Sequence, residues 1–125
     1  MATRGVILLA HGARDAAWAE PFEAIRERLE ALAPGTPVAL AFLELMAPDL
    51  GGAARALVAR GCRAITVVPA FLGVGGHVRR DVPALVDALR REYADLDVTL
   101  ASALGEDAAV QDAMAKAALA AVLGR

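Results

Sequence analysis

The chain of 125 residues has little of several features that mark particular classes of protein. Its single cysteine, Cys62, excludes an internal disulfide and fits a reducing cytoplasm. Aromatic residues make up 4%, too few for a surface that stacks nucleic-acid bases. The net charge is −2 and no basic run is present, so we expect no nucleic-acid partner. Hydrophobic residues, in contrast, reach 58%, which excludes a disordered chain.

Long hydrophobic runs are also absent. The first run, residues 6–10, is too short for the apolar part of a signal peptide with its cleavage site, and far too short to span a bilayer. No later run reaches spanning length without charges. We therefore expect no membrane partner and a soluble cytoplasmic protein, folded as one domain over residues 1–125.

Short apolar runs alternate with segments of helical periodicity. The runs at residues 6–10, 38–45, 64–72 and 96–101 are typical of strands buried on both faces of a parallel sheet. Between and after them, hydrophobic residues recur every three or four positions over 18–32, 50–58, 78–89 and 110–122. This order, β-α-β-α-β-α-β-α, predicts an α/β fold with helices on both faces of a four-stranded parallel sheet.

Ligands of open parallel sheets bind beyond the carboxyl ends of the strands, so the residues that follow the strands are the candidate site. His11 follows the first predicted strand and His77 follows the third, and the chain has no other histidine. We expect both in loops rather than on a helix. Glu44 ends the second predicted strand, where an apolar run makes a carboxylate costly to bury unless it is paired, protonated or bound to a metal. The alternatives are capping or solvated histidines and an exposed strand end.

Two imidazoles and a carboxylate suit a borderline divalent ion such as Co²⁺, Fe²⁺ or Ni²⁺. His11, His77 and Glu44 are therefore the candidate metal ligands and catalytic residues. A structural zinc site is not predicted, because the chain has no cysteine pair and no closely spaced histidine pair. Asp81, four residues after His77, is a candidate either for capping a helix or for orienting the imidazole.

The candidate substrate-binding residues lie close to the two histidines. Arg14, Arg79 and Arg80 suit pairing with substrate carboxylates, although solvated arginines are the alternative. The loop at residues 73–76 contains Gly75 and Gly76, which would let backbone approach a flat or bulky ligand. It is not a phosphate-binding loop, because no Gly-Lys-Ser/Thr follows it, and no Gly-x-Gly-x-x-Gly follows the first strand.

In combination and in order, these motifs resemble the short sirohydrochlorin chelatases of the CbiX type. The resemblance covers nearly the whole chain, and it departs from the family at Ala13, where serine is frequent. The matching segments are His11-Gly12-Ala13-Arg14-Asp15, Phe42-Leu43-Glu44, Pro69-Ala70-Phe71-Leu72 and His77-Val78-Arg79-Arg80-Asp81-Val82-Pro83.

The resemblance implies insertion of Co²⁺ or Fe²⁺ into sirohydrochlorin on the cobalamin or sirohaem route, with the metal as substrate and no permanent cofactor. By family analogy, His11 and His77 bind the incoming metal and help to remove the two pyrrole protons, and Glu44 acts as a ligand or proton acceptor. Longer relatives carry two such domains that face each other across the tetrapyrrole. The resemblance therefore implies a homodimer of this shorter chain, with the cleft between protomers.

Two other functions remain open at this point. A non-catalytic carrier of metal or tetrapyrrole would use the same pocket as the enzyme. A flavodoxin-like regulatory or nucleotide-binding module is the third hypothesis, but the chain lacks a phosphate-binding loop and an acidic cluster after the first strand. The residues do not choose between cobalt, iron and nickel, because histidine and carboxylate accept all three.

Overall fold

Strands and helices alternate along the chain as the sequence predicts. The computed structural model describes residues 3–124. The strands are β1 (Thr3–Ala10), β2 (Val38–Phe42), β3 (Cys62–Pro69) and β4 (Asp97–Leu100). The helices are α1 (Glu20–Leu32), α2 (Leu50–Ala59), α3 (Gly76–Glu92) and α4 (Ala108–Val122), and short 3₁₀ turns at Ala16–Ala19 and Leu104–Glu106 precede α1 and α4.

The four strands are parallel and lie in the order β2-β1-β3-β4. α1 packs on one face of the sheet, over β1 and β2, whereas α2 and α3 pack on the other face. The predicted α/β fold, with helices on both faces of a four-stranded parallel sheet, is therefore confirmed. The chain runs from β1 to β2 on one side and returns to β3 on the other, and this reversal opens a crevice at the carboxyl ends of the central strands.

Burial on both faces explains why the strand sequences are continuously apolar. Ile7, Leu9 and Val67 are fully buried beneath α2 and α3. Leu8 and Leu40 point to the opposite face and are buried beneath α1. Each such side chain contributes about 1.5–3 kcal/mol to folding when it leaves water. The sheet is thus a rigid base for the loops at its carboxyl edge.

Three predicted boundaries at this edge are wrong. β3 ends at Pro69 rather than at residue 72. β2 ends at Phe42 rather than at residue 45, because Leu45 adopts a positive φ of 67° and cannot continue an extended strand. His77 lies in the first turn of α3 and not in a loop, because the helix begins at Gly76. Gly75 is the extended residue that precedes it, so the glycine-rich segment contains the start of the helix.

α4 differs from the other helices in its packing. Its main contact is with the 3₁₀ turn just before it, and none of its residues is buried. Asp107 caps it by accepting a hydrogen bond from the backbone of Ala109 at 2.7 Å. Despite the apolar composition of α4, no helix within residues 3–124 is long and apolar enough to cross a membrane.

Candidate active site

The loops that follow β1 and β2 are joined by backbone hydrogen bonds. The amide of Leu43 donates to the carbonyl of Ala10 at 2.9 Å, and the amide of Glu44 donates to the carbonyl of His11 at 3.0 Å. The contact requires glycine at position 12, where φ is +97° and an added Cβ would lie 1.8 Å from the Glu44 carbonyl oxygen. These bonds fix the backbone of His11 beside that of Glu44.

The imidazole of His11 packs on the ring of Phe71. The two ring centroids are 4.4 Å apart and the planes are tilted by 31°. Phe71 is itself buried, and its carbonyl accepts a hydrogen bond from the amide of Gly105 at 2.8 Å. Gly105 must be glycine, because an added Cβ would lie 1.7 Å from the carbonyl oxygen of Leu72. The loops after β3 and β4 therefore hold the Phe71 ring against which the imidazole of His11 packs.

His77 is oriented by a carboxylate on its own helix. Nε2 of His77 lies 2.8 Å from Oδ2 of Asp81, one helical turn further on. The contact engages Nε2 and leaves Nδ1 outside this ion pair. Of the two roles open to Asp81 in the sequence, the structure shows contact with the imidazole, whereas Gly75 occupies the N-cap position of α3.

His11, Glu44 and His77 line one open cleft of about 390 Å³ at the carboxyl edge of the sheet. A cleft of about 470 Å³ lies beside Cys62 and Tyr93 and contains neither histidine. Burial raises the pKa of the Cys62 thiol, which makes this cysteine a poor nucleophile and fits a small core residue. The cleft with both histidines is therefore the candidate site.

The apolar wall of this cleft is not among the features expected from the sequence. Part of the wall comes from α3, where His77, Asp81, Ala84 and Leu85 have the spacing i, i+4, i+7 and i+8 that places residues on one helix face. That spacing is visible in the sequence once the helix is known to start before His77. The residues that complete the lining are Leu43 and Val78.

Several predicted site residues are placed differently from the expectation. Glu44 is exposed in the loop after β2, so the argument from a buried carboxylate is wrong, although the residue does line the cleft. The cleft lining does not include the predicted substrate-binding residues Arg14, Gly75, Gly76, Arg79 and Arg80. The guanidinium of Arg79 donates instead to the carbonyl of Val74 at 3.3 Å.

The part of the chain that the structure describes forms no three-ligand metal site by itself. Within residues 3–124, no group of three or more histidine, cysteine, aspartate or glutamate side chains is arranged to hold a metal ion. His11, Glu44 and His77 share the cleft without converging on one ion. Their roles as ligands, like the substrate-binding roles of the arginines and glycines, stay predictions.

The CbiX family model matches residues 5–121, almost the whole chain. The chain belongs to the CbiX family. Among curated CbiX-like relatives, the sirohydrochlorin cobaltochelatase of Saccharolobus solfataricus is 31% identical over 118 residues, which cover 90% of this chain and 91% of the relative. The sirohydrochlorin cobaltochelatase of Sulfolobus acidocaldarius is 31% identical over 108 residues, covering 86% of this chain and 84% of the relative.

Among solved structures, this CbiX chain is similar to one protein of about its own length and to one about twice as long. A protein from Marinobacter aquaeolei VT8, named a cobalamin (vitamin B12) biosynthesis CbiX protein, has a TM-score of 0.87 and 32% identity, covering 98% of this chain and 99% of the relative. The sirohydrochlorin chelatase SirB from Bacillus subtilis subspecies spizizenii, solved with cobalt, has a TM-score of 0.75 and 24% identity. The match to SirB shows a shared fold, and it covers 84% of this chain but 45% of SirB.

Proposed function

We propose that this CbiX-family chain is a sirohydrochlorin metal chelatase, which inserts Co²⁺ or Fe²⁺ into sirohydrochlorin in cobalamin or sirohaem biosynthesis. The observation that carries the proposal is the single cleft lined by both histidines of the chain and by Glu44. Relatives named sirohydrochlorin cobaltochelatase, 31% identical over nine-tenths of the chain, support the choice of substrate. The metal ion is a substrate, and the reaction needs no permanent cofactor.

The reaction sets two requirements that this cleft meets. A divalent ion must reach the pyrrole nitrogens, and two N–H protons must leave as the metal–nitrogen bonds form. The protein therefore needs donors that hold the ion weakly and bases that accept protons near neutral pH. Imidazole and carboxylate groups serve as both. An open cleft without a closed ligand set also lets the metallated product leave.

Each residue of the cleft has a distinct role in this proposal. His11, restrained by Phe71, and His77, through Nδ1, receive the metal and accept pyrrole protons. Glu44 accepts a proton at the mouth of the cleft. The apolar side chains of the wall contact the flat face of the macrocycle. The substrate-binding residues lie outside this lining and would act on the carboxylates of the macrocycle at the rim; they are Arg14, Gly75, Gly76, Arg79 and Arg80.

The working protein in this proposal is a homodimer with the tetrapyrrole between protomers. A two-fold pair brings two copies of His11, Glu44 and His77 to one cavity, which adds the ligands that a single chain lacks within residues 3–124. The match also covers only 45% of the SirB chain, which leaves room in SirB for a second unit of this size.

The proposal is tested by the absorbance spectrum of sirohydrochlorin mixed with the purified chain and with Co²⁺, Fe²⁺ or Ni²⁺ in turn. We expect the spectrum of the metallated product to appear with Co²⁺ or Fe²⁺ at a rate well above the protein-free control. Equal rates with and without protein for all three metals would contradict the proposed function.

Replacing Glu44 with glutamine removes a base but keeps the size of the side chain. We expect Glu44→Gln to lower kcat by about 10- to 100-fold, because a positioned general base typically contributes that much or more. Since Glu44 is exposed, the melting temperature should not change. Glu27→Gln, an equally exposed change on α1, is the control and should retain full activity. A normal rate for Glu44→Gln would show that Glu44 takes no part in proton transfer.

Asp81→Asn tests the orientation of His77. We expect the KM for the metal ion to rise about tenfold with a smaller change in kcat, because the carboxylate that orients a ligating imidazole also raises its basicity. Asp87→Asn is a matched control, since Asp87 is exposed on the same helix and pairs with Arg90 at 2.9 Å instead of with a histidine. If both variants have the same KM for the metal, Asp81 does not position His77.

A further inference from the structure

Three glycines at the start of α3 are not required by the geometry of the backbone. Gly73, Gly75 and Gly76 have no positive φ, and nothing lies within 4 Å of a Cβ added at any of them. Gly12 and Gly105, in contrast, are required by their close contacts with neighbouring backbone. Glycine loses more conformational freedom on folding than any other residue, so it destabilises a position that another residue fills without strain. The observed conformation therefore does not account for these three glycines.

The residues that follow these glycines are weakly held to the rest of the domain. We call residues 77–81 the leading segment of α3. It includes no buried side chain, and the first buried residue of the helix is Val82. Pro83 comes directly after this anchor and has no N–H to donate to the carbonyl of Arg79. In the described chain, the polar side-chain contacts of the leading segment are local and involve residues 74–81. Glycines on one side and a proline on the other therefore bound a short stretch with little to anchor it.

Free volume lies against two sides of the leading segment. On one side is the candidate active-site cleft of about 390 Å³, to which the segment contributes His77, Val78 and Asp81. On another side is a mostly apolar cavity of about 170 Å³, whose lining includes Phe71, Val78 and Val82. Val78 borders both spaces. Protein interiors are otherwise close-packed, so this space lets the leading segment tilt where a helix in the core could not.

The candidate metal donors differ in how firmly they are held. The backbone of Glu44 is bonded to that of His11, whose imidazole packs on the buried ring of Phe71. His77 is 83% exposed and stands on the leading segment. Within residues 3–124 the three donors line one cleft without forming a three-ligand group. Of the three, His77 is the one whose backbone can move to close the gap.

We propose that the leading segment is a hinged lid, which pivots at the glycines of residues 73–76 and at Pro83. Closing carries His77 toward a divalent ion held by His11 and Glu44. The ion drives the closing because the closed form binds it with one more donor than the open form. Once the ion has passed to the macrocycle that donor contact is lost, so the lid opens and the product can leave. The inference rests on the proposed function and adds a conformational step to it.

Hydrogen exchange of backbone amides, measured by NMR on the unaltered chain, is the first test. The protection factors of Arg80, Asp81 and Val82 are compared with those of residues 54–56, which are likewise the fifth to seventh residues of their helix, α2. We expect protection at least about tenfold lower in α3, because the lid opens locally. Zn²⁺, a diamagnetic ion that histidine and carboxylate bind, should restore the protection in the unaltered chain but not in His77→Ala. Equal protection in the two helices without Zn²⁺, or low protection that Zn²⁺ does not raise, would overturn the proposal.

The second test fixes the hinge in its observed conformation by combining Gly75→Ala with Gly76→Pro. Gly75 has φ −74° and ψ 166°, which suit an alanine before proline, and Gly76 is the first helical residue, where proline is favoured. The melting temperature should therefore not fall. The Kd for Co²⁺, from titration of its visible absorbance, should rise about tenfold because the closed form is no longer accessible. Ala108→Pro, at the first residue of α4 after the extended Asp107, is the control and should leave the Kd unchanged.

An unchanged Kd for Co²⁺ in the double variant would also overturn the proposal, and the exchange test decides it if that variant does not fold. Neither test contains sirohydrochlorin, so the lid and the proposed function can fail separately. A chain whose lid responds to Zn²⁺ but that does not metallate sirohydrochlorin would reject only the proposed function. A chain that metallates sirohydrochlorin with equal protection in α2 and α3 would reject only the lid.

Discussion

We expect His11→Ala and His77→Ala each to lower the rate of sirohydrochlorin metallation by at least about 100-fold, since in the proposed mechanism each change removes both a metal donor and a positioned base. The two side chains line the same cleft from different elements, the loop after β1 and the first turn of α3. Because their contributions are made to one reacting centre, the double variant should be little worse than either single variant. Initial rates from the product spectrum provide the measurement.

The two histidine variants differ in their expected stability, and this difference separates catalysis from folding. His77 is 83% exposed, so His77→Ala should melt at the same temperature as the unaltered chain. His11→Ala loses the packing on Phe71 and should be modestly destabilised. Arg91→Ala is an exposed alanine substitution near the other end of α3, and it should change neither rate nor stability. If His77→Ala metallates sirohydrochlorin at the normal rate, the assigned mechanism is wrong.

Gly12→Ala is expected to damage both the stability of the fold and the candidate site. Any L-residue at φ +97° is strained by about 1–2 kcal/mol. Here the new Cβ would also lie 1.8 Å from the Glu44 carbonyl oxygen, so the loop must move and the hydrogen bond from the Glu44 amide to His11 is lost. We expect a total loss of about 3 kcal/mol or more in the free energy of unfolding, together with most of the activity.

Gly35→Ala is the matched control for this prediction. Gly35 has a similar positive φ of +88°, but nothing lies within 4 Å of an added Cβ. It should therefore show the backbone strain alone, about 1–2 kcal/mol, with normal activity in the remaining folded protein. Urea denaturation gives both values. Equal losses for the two variants would mean that the contact between Gly12 and Glu44 does not hold the site together.

The sequence predicts the sheet well because burial on both faces leaves a strong signal. The apolar runs that contain Ile7, Leu9 and Val67 are continuous because neighbouring side chains are buried under helices on opposite faces. The position of His11 follows directly, since a residue after a central parallel strand lies at the carboxyl edge.

The same pattern of apolar residues does not predict where the strands and helices begin and end. The run through Leu43 and Leu45 is as apolar as the strand before it, yet the strand stops at Phe42 because Leu45 takes a positive φ. Hydrophobicity does not report backbone dihedrals, so the sequence predicts a strand through Glu44, with an exposed carboxylate only as the alternative. In the same way, Gly75 and Gly76 do not predict a helix start, so the helical position of His77 in α3 is not predicted either.

α4 shows a further limit of what periodicity in the sequence can predict. Its periodic apolar residues predict a helix, and the helix is present at Ala108–Val122. Periodicity indicates that a face is apolar, but not which surface covers it. For α1, α2 and α3 the sheet of the same chain covers that face, whereas for α4 it does not.

The central claim is that this cleft catalyses metal insertion, and a multiple-turnover experiment tests it most directly. Sirohydrochlorin and Co²⁺ are supplied in large excess over the purified chain, and the metallated product is counted per protomer from its absorbance. We expect many products per protomer, formed at a rate proportional to protein concentration. Product that stops at or below one equivalent per protomer would contradict this expectation, and would show a carrier that binds the tetrapyrrole or the metal without turnover.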